Sequence, residues 1–281
     1  MLTGGPIEPG SGPSHFSAAQ LRKLGDIART VGRPLPSEFT SSCESFLREL
    51  AKWNRRINLI SPRDRKRIVE RHVLDSLCLL AFDSRLAGKR ILDVGSGAGF
   101  PGMVLAMWET KAHVTLVESK SKPVAFLRTV RRSLGLDNVE VVHARLESVA
   151  EPGRISPVDI VTSRAVGGTL RLAEVVAPIL NPGGAIVVYT ARCPRAGKAM
   201  ARSAKMRGRG PIRLPVGGAN AGNKSAASGH RHTGDIGGCG AARGGVASDD
   251  ASAMERLGLG LEFLTPAWQS LTTLLILRRL G

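Results

Sequence analysis

One stretch of this 281-residue chain decides its fold: Arg90-Ile91-Leu92-Asp93-Val94-Gly95-Ser96-Gly97-Ala98-Gly99-Phe100-Pro101-Gly102. Apolar residues that end at Asp93 are typical of a buried strand, three alternate glycines follow, and helix-like sequence resumes at Met103. Glycine lets the backbone adopt positive φ and approach a ligand closely, while the amides that open the next helix favour an electron-rich group. The stretch therefore predicts a binding site for a nucleotide-like cofactor.

Two classes of cofactor fit this glycine-rich turn. Gly97, Gly99 and Gly102 satisfy the G-x-G-x-x-G pattern of dinucleotide-binding folds. A second predicted strand, at 113–117, ends at Glu118. A carboxylate in that position can accept two hydrogen bonds from ribose hydroxyls, which suits NAD and S-adenosylmethionine equally. These residues alone leave both cofactors open.

Four motifs in a fixed order resemble one family. They are Trp53-Asn54 with Asn58-Leu59-Ile60-Ser61, Arg71-His72-Val73-Leu74-Asp75-Ser76, the glycine-rich stretch from Asp93 to Gly102, and Ser163-Arg164-Ala165. In these motifs the chain is similar to the RsmG (GidB) family, the small-subunit (16S) ribosomal RNA guanine-N7 methyltransferases. The resemblance runs from about residue 39 to 189 and resumes near the last strand. It implies S-adenosylmethionine as cofactor and 16S ribosomal RNA, or the small ribosomal subunit, as partner.

The predicted fold class is α/β, a Rossmann-like class I S-adenosylmethionine-dependent methyltransferase with an N-terminal helical extension. Strands and helices alternate from Gly88 onward, which specifies a mainly parallel sheet covered on both faces. Strands are predicted at 90–94, 113–117, 139–142, 159–162 and 185–189, and helices at 100–109, 122–134, 146–150 and 169–180. A hairpin at 262–266 and 272–279 is predicted to close the sheet with an antiparallel last strand.

We divide the chain into five segments. They are a tail with a short helix (1–35), a basic helical extension (36–87), the cofactor-binding core (88–189), a Gly/Ala/Arg-rich stretch (190–253) and C-terminal strands (254–281). The fourth segment lacks aromatic residues and is predicted to be disordered. Where relatives usually place a Lys-Gly pair after the fifth strand, this chain has Tyr189-Thr190. The fourth segment is therefore either an insertion or a stretch whose reading frame was altered.

The charge of the chain favours a polyanionic partner. Forty Lys and Arg residues against 23 Asp and Glu residues give a formal net charge of +17. Helices are predicted from about residue 37 to 57 and from 65 to 82, and the region from Arg48 to His72 is the most basic part of them. The predicted RNA-binding residues are Arg55, Arg56, Arg63, Arg65, Lys66 and Arg67.

The candidate cofactor-binding residues come partly from the glycine pattern and partly from the resemblance. They are Gly95, Gly97, Gly99, Phe100, Glu118, Leu146, Glu147 and Arg164. The resemblance adds His72 and Asp75, with Arg164, as walls of the cofactor or substrate pocket. None of these residues is assigned as a general base, because guanine N7 carries a lone pair and no proton. Two alternatives remain: an NAD-dependent oxidoreductase, or a catalytically silent RNA-binding protein on a methyltransferase scaffold.

Several other classes are not indicated by the sequence. The four cysteines form no metal-binding or disulfide spacing, so no metal site is expected. The N-terminus lacks the pattern of a signal peptide, and no stretch reaches membrane-spanning length. We expect a cytoplasmic protein without membrane association or an obligate protein partner. An Asn/Asp-Pro-Pro-aromatic motif, typical of transfer to exocyclic amino groups, does not follow the fourth predicted strand.

Overall fold

The computed structural model describes residues 15–151, 153–164, 168–190, 253–264 and 272–279. Within these ranges seven strands form one sheet, in the spatial order β3-β2-β1-β4-β5-β7-β6. The strands are β1 (Arg90–Val94), β2 (His113–Glu118), β3 (Val139–His143), β4 (Val158–Ser163), β5 (Leu180–Thr190), β6 (Leu259–Leu264) and β7 (Thr273–Arg279).

The sheet is parallel from β3 to β5, and β7 pairs antiparallel with both β5 and β6. The strand order reverses between β1 and β4, and such a switch point opens a crevice at the carboxyl ends of the strands. Asp93 lies beside Thr162 in the register of β1 and β4. The predicted fold class is confirmed, including the antiparallel strand that completes the sheet.

The bounds of β5 differ most from the prediction. The strand begins at Leu180 rather than 185, because an irregularity in its register with β4 brings residues 181–184 into the strand. Gly183 adopts a φ of +73° within this irregularity. The turn chemistry of Asn-Pro-Gly-Gly is therefore used inside a strand and does not end it.

Seven α-helices accompany the sheet in the described residues. They are α1 (Ala18–Thr30), α2 (Phe39–Asn54), α3 (Pro62–Arg65), α4 (Leu79–Phe82), α5 (Gly102–Trp108), α6 (Ser121–Ser133) and α7 (Thr169–Val176). A π-helix (Val69–Leu74) lies between α3 and α4, and 3₁₀ turns occupy Leu146–Ser148 and Ala177–Ile179. A further helical turn lies at 253–256.

The prediction of one continuous helix at 65–82 is wrong. The apolar side chains of Val69, Leu74 and Leu77 are buried as their spacing predicted, but the backbone is divided among α3, the π-helix and α4. The backbone carbonyls of Arg71 and His72, in the π-helix, accept hydrogen bonds from a distant arginine side chain. Hydrophobic spacing therefore predicted the buried face but not the change of helix type.

The core has two layers, one on each face of the sheet. Ile91 of β1 belongs to the layer formed with α1, α2, α5 and α6, and its neighbour Leu92 belongs to the layer formed with α7. This alternation follows from the two-residue period of a strand. The helices of the predicted extension at 36–87 thus cover the same face as α5 and α6 and share one core with the sheet.

Some predictions fall on residues outside the described ranges. The predicted disorder of 190–253 concerns residues of which only 190 and 253 are described, and the N-terminal tail up to residue 14 also lies outside. In the described ranges no helix has the length and apolar character that a membrane span requires.

Candidate cofactor and substrate site

The glycine-rich turn after β1 has the backbone conformation that only glycine adopts readily. Gly95, Gly97 and Gly99 have φ values of +74°, +51° and +88°. A Cβ at Gly99 would lie 2.9 Å from Met103 Cγ, whereas a Cβ at Gly97 would meet only Gly95 O, at 3.8 Å. Gly99 is therefore required by packing, and Gly97 faces open space, as a ligand cradle requires.

Asp93 anchors this turn to two neighbouring strands. Its Oδ2 accepts a hydrogen bond from the Gly102 amide at 3.2 Å, and its Oδ1 accepts one from the Thr162 hydroxyl at 2.9 Å. A Cβ at Gly102 would lie 2.2 Å from Leu116 Cδ2, so this glycine is fixed by packing. Burial raises the pKa of Asp93 to about 6, against the opposing effect of these hydrogen bonds. The role of Asp93 was missed in the sequence because it depends on contacts between strands.

Glu118, at the end of β2, is oriented by the turn it faces. Its Oε2 accepts a hydrogen bond from the Gly97 amide at 2.9 Å, and its Oε1 accepts one from the Lys120 amide at 2.8 Å. A carboxylate offers about four lone-pair sites, so acceptor capacity remains for ribose hydroxyls. Glu118 therefore faces the glycine-rich turn, and its contact with a ribose stays a prediction.

Arg164, at the end of β4, meets the motif carried by the π-helix. Its Nη2 lies 3.0 Å from Asp75 Oδ2 and donates to Ser76 Oγ at 3.0 Å. Its Nη1 donates to the Arg71 carbonyl at 3.3 Å, and its Nη2 also donates to the His72 carbonyl at 3.3 Å. Arg164 Nε is buried and has no hydrogen-bond partner among the described residues. Nε is therefore a candidate donor to a ligand.

Two aromatic rings lie close to the same guanidinium. Arg164 Cζ lies 4.9 Å from the ring centroid of Tyr189 and 5.9 Å from that of Phe100. The His72 ring stacks on Phe100 at 4.8 Å between centroids. The Tyr189 hydroxyl donates to the Ser76 carbonyl at 2.8 Å. Tyr189 was not among the site residues predicted from the sequence. The only signal at this position was that Tyr189-Thr190 stands where relatives usually have a Lys-Gly pair.

His72 is a neutral group at physiological pH. Burial, and after it the charge of Arg164, lowers the pKa of His72 to about 4. Its Nε2 is buried without a hydrogen-bond partner among the described residues. The side chain of Asp75 accepts a hydrogen bond from Thr272, next to β7. The three predicted pocket residues, His72, Asp75 and Arg164, therefore lie together.

Leu146 and Glu147 lie in the 3₁₀ turn after β3. The Glu147 side chain is exposed and pairs with Arg171 at 2.5 Å, and this hydrogen bond lowers its pKa. Leu146 is half-buried against the layer formed with α7. The Ala144 amide donates to the Glu118 carbonyl at 3.1 Å, which places the start of this loop beside the predicted ribose ligand. Contact of Leu146 and Glu147 with adenine stays a prediction.

The six predicted RNA-binding side chains are all exposed. They are Arg55, Arg56, Arg63, Arg65, Lys66 and Arg67. Within the part of the chain that the structure describes, none of them forms an ion pair. Arg71, by contrast, pairs with Asp64 at 3.4 Å. The six side chains therefore carry charges that no acidic side chain of the described ranges neutralises in an ion pair.

The described ranges contain no group of three or more metal-ligating side chains. Cys43 and Cys78 are buried, and burial raises the pKa of each thiol well above its usual value. Such thiols are poor nucleophiles. Cys193 and Cys239 lie outside the described residues.

The sheet order, the glycine-rich turn with its facing carboxylate and the antiparallel β7 define a Rossmann-like S-adenosylmethionine-dependent methyltransferase. The model of the GidB family, rRNA small subunit methyltransferase G, matches residues 40–208, and the chain belongs to this family. The match extends past Tyr189, where the resemblance in the sequence had been expected to stop.

Two named relatives agree with this assignment in sequence. The chain is 40% identical over 146 residues to ribosomal RNA small subunit methyltransferase G of Yersinia pseudotuberculosis serotype O:3 (strain YPIII), covering 52% of this chain and 68% of the relative. It is 34% identical over 172 residues to the protein of that name from Leptothrix cholodnii, covering 60% and 77%. A solved S-adenosylmethionine-dependent methyltransferase from Aquifex aeolicus has a TM-score of 0.48 and 16% identity, covering 82% and 98%. Family membership excludes the oxidoreductase alternative and identifies S-adenosylmethionine as the cofactor.

Proposed function

We propose that this chain transfers a methyl group from S-adenosylmethionine to guanine N7 of 16S ribosomal RNA. The observation that carries the proposal is the family match, which spans the basic helices, the glycine-rich turn and Arg164. The relatives are named for methylation of small-subunit ribosomal RNA. Guanine N7 is the acceptor implied by the sequence resemblance.

The residues of the carboxyl edge suit the cofactor. When bound, S-adenosylmethionine supplies a methyl group activated by a positively charged sulfur. We assign its ribose to Glu118 and its backbone contacts to the turn of Gly95, Gly97 and Gly99, since Gly97 faces open space. The Nε of Arg164, which has no hydrogen-bond partner among the described residues, is a donor for the carboxylate of the methionine portion or for the substrate base. Phe100, Leu146 and Glu147 remain proposed cofactor contacts.

The titratable groups of the site favour an acceptor that does not need deprotonation. His72 has a pKa of about 4 and is a weak base, and Asp75 is paired with Arg164. Asp93 is buried and holds Gly102 and Thr162. Guanine N7 attacks with a lone pair and loses no proton, so catalysis rests on alignment of the reacting atoms and on the electrostatics of the pocket.

We assign the RNA to the basic surface formed by residues 55–67 and to the carboxyl edge of the sheet. Exposed arginines without local partners suit phosphate oxygens. The base must leave its stack to reach the methyl group, so an unpaired or flipped guanine is the accessible target. Such an enzyme works where small subunits are assembled, which places it in the cytoplasm, without a membrane or an obligate protein partner.

The test uses purified protein, radiolabelled S-adenosylmethionine and small ribosomal subunits from cells lacking the enzyme, followed by nucleoside analysis of the RNA. We expect label in 7-methylguanosine with the wild-type protein and its loss in Gly97→Asp. Gly88→Asp is a matched control, because Gly88 also has a positive φ (+76°) in open space but lies before β1, at the opposite edge of the sheet. Cofactor binding without label would favour the silent RNA-binding alternative, and label in another nucleoside would contradict N7 as acceptor.

A further inference from the structure

Helix α6 carries a second basic surface, separate from residues 55–67. The segment 119–133 contains five basic residues and no Asp or Glu, and all five side chains are exposed: Lys120, Lys122, Arg128, Arg131 and Arg132. In the ranges that the structure covers, none of the five takes part in an ion pair. Helix α1, in comparison, pairs its Arg29 with Asp26.

The placement of these charges does not serve the stability of the helix. Lys120 is the N-cap of α6 and Lys122 lies in its first turn, where the helix dipole disfavours cations. Arg128, Arg131 and Arg132 are spaced i, i+3 and i+4, so their like charges repel one another. The last-turn position of Arg131 and Arg132 is favourable for the dipole but does not account for the other three charges.

The position of α6 connects the cofactor edge with the basic surface already described. The helix begins directly after Glu118, whose Oε1 accepts the Lys120 amide. On its inner face Phe126 meets the edge of Trp53 at 5.9 Å between centroids. Trp53 lies one residue before the end of α2 and two residues before Arg55, so α6 packs against the helix that leads into residues 55–67.

We propose that the outer face of α6 binds the phosphate backbone of the RNA that delivers the target base to the cofactor edge. The inference rests on the proposed function and adds a second contact surface to it. The outer face presents guanidinium and ammonium groups with small side chains such as Ser121 and Ala125, and no exposed aromatic or large apolar side chain. This composition suits phosphate contacts, which position a nucleic acid without reading its bases.

The test neutralises Arg128, Arg131 and Arg132 by substitution with Gln in the full-length protein. Gln retains good helix propensity, and removal of like charges does not weaken the helix. The matched control is Arg22→Gln, Arg85→Gln and Lys111→Gln, which removes the same charge from exposed side chains on other surfaces. Affinity for deproteinised 16S ribosomal RNA is measured between about 50 and 200 mM salt, a range in which counterion release dominates.

We expect the slope of log affinity against log salt to become shallower by about 2 in the α6 variant, since each lost contact to single-stranded nucleic acid contributes about 0.7. The loss of RNA affinity across this salt range is then about 15-fold smaller than in the wild type. The affinity for S-adenosylmethionine stays unchanged. A double variant, Arg128→Gln with Arg132→Gln, gives about two thirds of the slope change and guards against a folding defect in the triple variant.

A slope for the α6 variant equal to that of the control would overturn this inference while leaving the proposed function intact. Failure of the proposed function has a different signature, because the wild-type protein itself would then leave 7-methylguanosine unlabelled, whatever the salt dependence of RNA binding by the α6 variant.

Discussion

Arg164 Nη2 lies 3.0 Å from Asp75 Oδ2, an ion pair that joins the end of β4 to the π-helix region of the N-terminal layer. Both side chains are largely buried, with 17% and 10% of their surfaces exposed. The pair holds the guanidinium so that Nη1 and Nη2 face protein acceptors, while the described residues supply no hydrogen-bond partner for Nε. The N-terminal helices therefore shape the cofactor edge as well as covering the sheet.

Substitution Asp75→Asn leaves the buried Arg164 without its counter-charge. We expect a loss of about 3 kcal/mol in the free energy of unfolding, the lower end for breaking a buried pair, since both groups keep some solvent contact. The Kd for S-adenosylmethionine rises with it. Urea unfolding and calorimetric titration measure the two effects. Asp137→Asn, at an exposed position without an ion pair among the described residues, is the control and should change neither value. Equal stability of the Asp75 variant and the wild type would disprove the structural importance of the pair.

Tyr189 supports Arg164 in two ways that two substitutions separate. Tyr189→Phe removes the hydrogen bond to the Ser76 carbonyl but keeps the ring under the guanidinium, so it should cost about 1 kcal/mol of stability. Tyr189→Leu also removes the cation–π contact, worth about another 1 kcal/mol when partly desolvated. We expect cofactor affinity to fall in the order wild type, Phe, Leu, as measured by titration calorimetry. Equal affinity of the Phe and Leu variants would show that the ring does not position Arg164.

Much of the fold was predictable from the sequence because its signals are local. Apolar runs and glycines predicted β1 at 90–94, which are the bounds that the structure has. They predicted the bounds of the other core strands to within a few residues. Both Arg164 and Asp75 were listed as pocket candidates, but their pairing was not predictable. Nothing local in the sequence determines which distant side chain an arginine contacts. The π-helix at Val69–Leu74 also escaped, because π and α turns bury a similar apolar stripe. The role of Tyr189 depends on its contacts with Ser76 and Arg164, which lie on other elements. The spacing of residues in the sequence does not predict such contacts.

The pKa of His72 predicts a specific dependence of stability on pH. The folded-state pKa of about 4 lies below the ordinary value of 6.5, so the unfolded chain binds the proton more tightly. The contribution of His72 is therefore fully present above pH 6.5 and is lost as the pH falls toward 4, by up to about 3 kcal/mol. Asp93 acts in the opposite sense, because its raised pKa, of about 6, favours the folded state at acidic pH.

The variant His72→Gln separates the effect of His72 on the pH dependence of stability from the opposing effect of Asp93. Unfolding free energies of the wild type and the variant are compared from pH 7 to 4. We expect the wild type to lose more stability than the variant as the pH falls below about 6.5, and the free-energy difference between the two proteins to be independent of pH above that value. Parallel curves for the two proteins would contradict a neutral, buried His72. His113→Gln, at an exposed position on β2, serves as the control and should follow the wild type.

Glu118 provides the most direct test of the cofactor edge. Its two oxygens already accept the amides of Gly97 and Lys120, so a ribose bound at the proposed site would share the same carboxylate. Glu118→Gln replaces one acceptor oxygen by a donor, which opposes either the amide on that side or a ribose hydroxyl. Hydrogen bonds to a charged group contribute about 1.5–3 kcal/mol, so we expect the Kd for S-adenosylmethionine to rise at least about tenfold. Glu140→Gln, an exposed acid on β3, has the same change in charge and should bind as the wild type does. If the Glu118 and Glu140 variants bind S-adenosylmethionine equally well, the ribose is held elsewhere. The glycine-rich turn would then bind the cofactor without the Glu118 carboxylate, which the Gly97 amide orients.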